Sequence, residues 1–401
     1  MSAPSPANPV SRTIALCFVA ALFEGLDIQS MGVAAPKLAP AFHLGPGQLG
    51  IVLSASTFGL MLGATAGGWL SDRFGRRSVL VFSMTTLGLF SLATTIAATV
   101  QSLLLARVLA GIGLGGAFPT LVALVSETVS SRARVTALAC MYCGLPIGGA
   151  TAGLVAALAP SDWRYIFYIG SLGPLLLAPV LARYLLSASV AHQRGESDGS
   201  NSRISSIFGS RTPTTMLLWT GYFFTLLVVY LLLNWLPSLA RGRGYSQTQA
   251  STSAVVLNCG AVIGSLLLGY LSDRRRPMEI LSVTYLGMIA SLLVLATPLP
   301  GAFLLGAFTA GFFVIGGQLV LYAIAPTLYP PSARGTGVGA AVATGRIGSI
   351  VGPLIGGSLL ASGFGPGMVP TAAIPGLAIA LMCLLWLLRL SAERERSCGQ
   401  E

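Results

Sequence analysis

The chain has 401 residues, of which 54% are hydrophobic and 9% charged, against roughly 25% charged in a soluble domain. That balance excludes a soluble globular protein, because the polar surface could not cover the apolar mass. The net charge of +11 does not point to nucleic acid, because the charges cluster in short connections between apolar runs instead of forming a stripe.

In chain order, a short polar N-terminus (1–13) precedes a first apolar run with no small-residue cleavage site, so the first span is expected to be retained and not removed as a signal peptide. Twelve apolar spans follow, at 14–36, 48–70, 78–98, 102–126, 137–158, 163–187, 214–239, 248–271, 279–297, 302–325, 335–360 and 368–389. Runs of about 20 residues cross a bilayer as helices, whereas barrel strands give shorter alternating segments. The expected fold is therefore all-α and integral to the membrane. A Ser-, Gly- and Arg-rich linker (188–213) divides a six-helix bundle (14–187) from another (214–389), and a polar tail (390–401) closes the chain. The six cysteines lack paired loop spacing and read as small apolar fillers.

Arginine asymmetry sets the orientation. Arg12, Arg73, Arg76, Arg77, Arg132, Arg134, the linker arginines, Arg274 to Arg276 and Arg334 share one side; Lys37, Arg164, Arg241 and Arg243 lie on the other. The positive-inside rule places both termini in the cytoplasm.

The halves echo each other. GGWLSDRFGRR (67–77) matches LLGYLSDRRRP (267–277), SSRAR (130–134) matches PPSAR (330–334), and GLPIGG (144–149) matches GPLIGG (352–357). Offsets of about 200 residues in one order mark a duplicated six-helix unit, a transporter signature with the substrate site near the midplane between repeats.

Four charges stand inside spans and away from their ends: Glu24, Asp27, Arg107 and Arg346, with Glu127 at a span edge. Intramembrane charges are costly and face the bundle interior, where they pair or bind ions. Glu24 and Asp27 are three residues apart and share a helix face. Such a pair titrates as a unit and can hold one proton near neutral pH, as a proton-coupled carrier requires; the alternative is a neutral Glu24 bonded to backbone. Arg107 either serves the interior or snorkels to the interface. Arg346 offers a planar fork for a carboxylate, or pairs with an acid of another helix. Gln318 and Tyr322, like Tyr230 and Asn234, are spaced i,i+4 and are candidate partners for a ring hydroxyl or carboxylate; Tyr142 is a candidate to face the ring.

GGWLSDRFGRR resembles the loop between the second and third helices of the major facilitator superfamily, and RVLAGIGLGGAFPT (107–120) resembles its fourth-helix motif. EGLD (24–27) is similar to the D-G-[FY]-D motif of the aromatic acid:proton symporters, with Glu24 where Asp is usual. ALVSETVSSRARVTALA and the stretch 318–353 fit the same family. EGLDIQ, MYCGLPIGGA (141–150) and YFFTLLVVYLLLNWLP (222–237) are most similar to its 3-(3-hydroxyphenyl)propionate transporters. The family's P-E-S after the sixth helix is replaced by LSAS (186–189).

The resemblance implies two pseudo-symmetric six-helix bundles in the bacterial inner membrane, and proton-coupled import of an aromatic carboxylate by alternating access. Glu24 and Asp27 are then expected to couple protons. Arg346, Gln318, Tyr322, Asn234 and Tyr142 are expected to bind substrate. Asp72, Arg73, Arg76, Arg77, Arg107, Glu127 and Asp273 are expected to gate. The partners are a small aromatic acid, protons and the lipid bilayer; no cofactor, metal or nucleic acid is expected, and the chain is expected to act as a monomer. The rival readings are a symporter for benzoate-type acids, a drug:proton antiporter of the same fold, to which GLPIGG comes near, and a membrane enzyme. Against the enzyme, the two histidines, His43 and His192, fall outside the spans, and neither an H-x-x-x-H cluster nor a G-x-x-x-x-G-K-[ST] loop is present.

Overall fold

The computed structural model describes residues 9–130, 134–159, 161–185, 212–272, 274–299, 301–329 and 334–398. It has twelve helical spans long and apolar enough to cross a membrane. These are α1 (Val10–Ala41), α2 (Pro46–Ser71), α3 (Arg76–Thr95), α4 (Val100–Thr128), α5 (Thr136–Leu158), α6 (Arg164–Tyr184), α7 (Thr212–Gly242), α8 (Gln247–Ser272), α9 (Pro277–Ala296), α10 (Ala302–Ile324), α11 (Thr336–Ala361) and α12 (Met368–Leu390). Helix is the form that satisfies every backbone N–H and C=O within hydrocarbon without a neighbouring strand. Several helices outrun the apolar windows: the first begins at Pro9, and the last continues to Cys398. Polar residues end an apolar run but not a helix, because the backbone ladder does not depend on apolar side chains.

Local signals place the ends. The α2–α3 turn closes at Gly75 with φ of 83°, a left-handed conformation that glycine adopts at little cost; this is the glycine of the D-R-x-G-R-R stretch. Thr99 caps α4 through a reciprocal box, its side chain accepting from the Ser102 N–H at 3.2 Å while the Ser102 hydroxyl accepts from the Thr99 N–H at 3.1 Å. Pro277 starts α9, where its missing N–H costs nothing.

The chain divides into two compact units, Met1–Leu44 with Val52–His192 and Gly45–Ile51 with Gln193–Glu401. The first holds α1, α3, α4, α5, α6 and most of α2. Here α1 packs on α5 and α6, and α3 on α4 and α6. Leu80, Met84, Leu114, Leu121 and Leu181 lie in its core. The second unit repeats the scheme: α7 packs on α11 and α12, and α9 on α10 and α12. The linker 188–213 falls almost wholly outside the described residues.

Glycines set the closest crossings in both units. A Cβ at Gly59 or Gly63 of α2 would strike the Val108 or Ile112 carbonyl of α4, and one at Gly260 or Gly264 of α8 would strike Phe308 or Phe312 of α10. The same helix pair is thus joined in the same way about 200 residues later, as duplication requires. Inside α10 the helix widens to a π segment over Gly311–Ile315, one turn before Gln318. Large apolar residues such as Trp69, Phe82, Leu172, Leu266 and Trp386 face outward, the surface a lipid-embedded protein presents.

Candidate functional site

The first unit buries a polar centre in its apolar core. Asp27 of α1 and Arg107 of α4 are 1% and 0% exposed. They form a two-pronged ion pair: Arg107 Nη2 donates to Asp27 Oδ2 at 2.7 Å and Nη1 to Oδ1 at 3.1 Å. Arg107 Nε donates to the Ser56 hydroxyl of α2 at 2.8 Å, and the Ser91 hydroxyl of α3 donates to Asp27 Oδ1 at 2.7 Å. The guanidinium also stands 5.4 Å from the Phe167 ring centroid of α6. Five helices therefore converge on one charge pair. In hydrocarbon, either ion alone would be prohibitive; together, fork to carboxylate, most of their hydrogen-bonding capacity is met.

This geometry decides one open expectation and modifies another. Arg107 does not snorkel, because it is fully enclosed. Asp27 takes its ionic partner from another helix, Arg107 of α4. Glu24, one turn earlier on α1, is also 1% exposed and lies within electrostatic reach of Cys17. Ser56, Ser91 and Phe167 escaped the sequence reading. A serine or phenylalanine in an apolar span carries no signal until its neighbours are known.

The second unit gathers most of the expected substrate residues. Arg346 of α11 donates through Nη1 to the Tyr230 hydroxyl of α7 at 2.8 Å. Gln318 Nε2 donates to the Tyr322 hydroxyl at 2.8 Å along α10. Tyr322 lies within electrostatic reach of both Arg346 and Tyr230, and its ring is 5.4 Å from that of Tyr222. Arg346, Gln318 and Tyr322 are half-buried, so a polar, aromatic-walled cluster forms around a partly accessible cation. Asn234 plays a different part: its Nδ2 donates to the Tyr230 carbonyl of its own helix at 2.8 Å, and it is 2% exposed. It fixes the backbone under Tyr230. Tyr142 belongs to the first unit, where it packs edge-on against Phe118 at 5.5 Å.

At the end of the first unit where α2 meets α3, Arg76 joins Glu127 of α4, with Nη2 2.7 Å from Oε1 and Nε 2.9 Å from it, and Arg76 Nη1 donates to the Ser71 hydroxyl at 3.1 Å. The pair is partly exposed and weaker per contact than a buried one. Arg73 stacks over Trp69 and Phe74 at 5.3 and 5.6 Å. Arg77 lies in the first turn of α3. Asp72 lies on the last turn of the helix that contains α2, with its side chain outside the described set, and Asp273 lies outside the described residues. Among the described residues no group of three or more His, Cys, Asp or Glu is placed to hold a metal.

A duplicated helical membrane protein with charges buried in its polar centres has the build of a secondary transporter. The comparisons agree. The profile of the Major Facilitator Superfamily matches residues 17–300 and 218–400. The chain is 46% identical to the 3-(3-hydroxy-phenyl)propionate transporter of Escherichia coli K12, covering 97% of each sequence. It is 34% identical to the gallate transporter of Pseudomonas putida, over 92% of this chain and 90% of that protein. A bacterial homologue of the human lysosomal transporter Spinster, in an inward-facing and occupied conformation, superimposes with a TM-score of 0.76 at 19% identity, over 96% of this chain and 98% of that one. The chain belongs to the Major Facilitator Superfamily: it is a multi-pass membrane transporter and not an enzyme.

Proposed function

We propose that this transporter imports an aromatic carboxylate together with protons, with 3-(3-hydroxyphenyl)propionate the preferred substrate. The observation that carries the reading is Arg346, a cation in mid-span held by Tyr230 beside Tyr322 and Tyr222. An aromatic acid is anionic at neutral pH, and a guanidinium fork meets its carboxylate in two parallel hydrogen bonds. Tyrosine walls accept the ring, and the Gln318–Tyr322 pair offers donors and acceptors to a ring hydroxyl. The relative of 46% identity carries such a substrate by name.

Glu24, Asp27 and Arg107 are the proton-sensitive group in this reading. Protonating a carboxylate beside Arg107 loosens a pair that ties α1 to α4, so proton occupancy biases the helix arrangement. Asp72, Arg73, Arg76, Arg77, Glu127 and Asp273 govern the gate at the arginine-rich face. The protein works as a monomer in the bacterial cytoplasmic membrane with both termini inside, on the arginine asymmetry.

The test is uptake of labelled 3-(3-hydroxyphenyl)propionate by cells expressing the protein. Accumulation should collapse with an uncoupler, and Arg346→Ala should abolish uptake while membrane insertion persists. Uptake indifferent to the uncoupler sinks the coupling; normal uptake by Arg346→Ala sinks the carboxylate assignment. The gallate relative favours a second reading, a benzoate-type substrate. A competition panel of benzoates, hydroxybenzoates and phenylpropionates separates the two.

A further inference from the structure

Three connections of the second unit meet at its end remote from the chain terminus: those between α7 and α8, α9 and α10, and α11 and α12. They enclose an open cleft of about 620 Å³ bordered by Arg243, Tyr245, Gln249, Thr297, Leu299 and Gly367. The volume lies in the range of small-molecule sites.

Arg243 is the charge of this cleft. It is half-buried. Its Nη1 donates to the Thr297 carbonyl at 3.0 Å, and its guanidinium carbon stands 5.1 Å from the Phe303 ring centroid. These contacts fix the fork and leave further N–H groups to bind. The Tyr245 ring lies 5.4 Å from the same Phe303 ring at a tilt of 34°, giving the cleft an aromatic wall. Arg241 Nη1 holds the Tyr245 carbonyl at 2.6 Å, pinning that loop. Gly367 borders the cleft beside Ala296: a Cβ there would sit 3.2 Å from the Ala296 carbonyl oxygen.

Among the described residues no acid pairs with this charge. The stretches 243–246, 297–301 and 362–367 contain neither Asp nor Glu; the acids between α7 and α12 in sequence are Asp273, between α8 and α9, and Glu279, in the first turn of α9. Burial pulls the Arg243 guanidinium below its ordinary value, the mark of a cation short of solvation that an anion would relieve.

We propose that this cleft is a second, weaker binding site for an aromatic carboxylate, the carboxylate on the Arg243 fork and the ring against Tyr245. It rests on the aromatic-acid reading above and adds a site separate from the Arg346 cluster. Its place at an extramembrane end makes it a loading site, where the anion is concentrated before transport.

Equilibrium binding of labelled 3-(3-hydroxyphenyl)propionate to the full chain in phosphatidylcholine nanodiscs tests it. The wild type should show two saturable classes. Arg346→Ala should keep the weaker class; adding Arg243→Ala should weaken that class at least tenfold, and Arg243→Lys should weaken it less. Tyr245→Ala, which removes the ring wall and keeps the charge, should also weaken it, and serves if Arg243→Ala fails to fold. Loss of all saturable binding in Arg346→Ala overturns the proposal, as does a weak class indifferent to Arg243→Ala and Tyr245→Ala. Arg243-dependent binding of phosphatidylglycerol alone overturns it too. A wild type that takes up the acid but shows one class defeats only this site; a wild type that neither binds nor transports any aromatic acid defeats the substrate reading as well.

Discussion

Asp27 and Arg107 meet across two helices as a buried, two-pronged ion pair. Removing one partner strands the other charge, which costs about 3–5 kcal/mol for a buried pair. Arg107→Gln should therefore lower the thermal unfolding midpoint in detergent sharply. The double variant Asp27→Asn with Arg107→Gln should be less destabilised than the sum of the singles, because the charge is gone on both sides; additive losses would show that the pair is not coupled. Glu24 is the coupling candidate on the same helix. Glu24→Gln should keep substrate exchange in counterflow yet lose accumulation driven by a proton gradient; intact gradient-driven accumulation would remove it from the mechanism. Tyr230 holds Arg346 at 2.8 Å, so Tyr230→Phe should raise KM roughly tenfold, the effect of about 1.4 kcal/mol on one hydrogen bond to a charged group. Direct uptake kinetics check this, and an unchanged KM would mean that Arg346 needs no such support.

Among the elements, the close crossings decide whether charges on different helices can meet. Gly63 lies against the Ile112 carbonyl, whereas nothing crowds a Cβ at Gly68. Gly63→Leu should drive α2 from α4, pull Ser56 from Arg107 and leave little monodisperse protein on size exclusion. Gly68→Ala should behave as wild type; equal behaviour of the two would refute the packing argument. The element order was legible from hydropathy alone, since each window of about 20 apolar residues became a span. The ends were less so. The first helix starts at Pro9 and the last reaches Cys398, because hydropathy reports where lipid is and not where helix stops. The π segment Gly311–Ile315 gave no signal, being apolar on both sides of the change.

For the whole molecule, duplication makes two units of one plan, each with its own polar centre: an ion pair in the first and an arginine among tyrosines in the second. In the proposed function the proton-sensitive group and the carboxylate-binding group therefore fall in separate repeats. With an even number of spans, fusions of a fluorescent reporter at either end should shine, and alkaline phosphatase at the same ends should stay inactive. Active phosphatase there would reverse the orientation.

By itself, the sequence determined the membrane class, the twelve spans, the duplication and the identity of the intramembrane charges. All of these follow from hydropathy and from the cost of charge in hydrocarbon, which are properties of residues in a row. It could also nominate Arg346, Gln318 and Tyr322, since charged and hydrogen-bonding groups in a span are conspicuous. Only the tertiary structure decided which charge meets which. That Arg107 turns inward to Asp27, that Ser56, Ser91 and Phe167 complete its shell, and that Arg76 takes Glu127 depend on where helices far apart in the chain cross. Partner choice is set by a few ångströms of helix approach, and no local pattern encodes that distance.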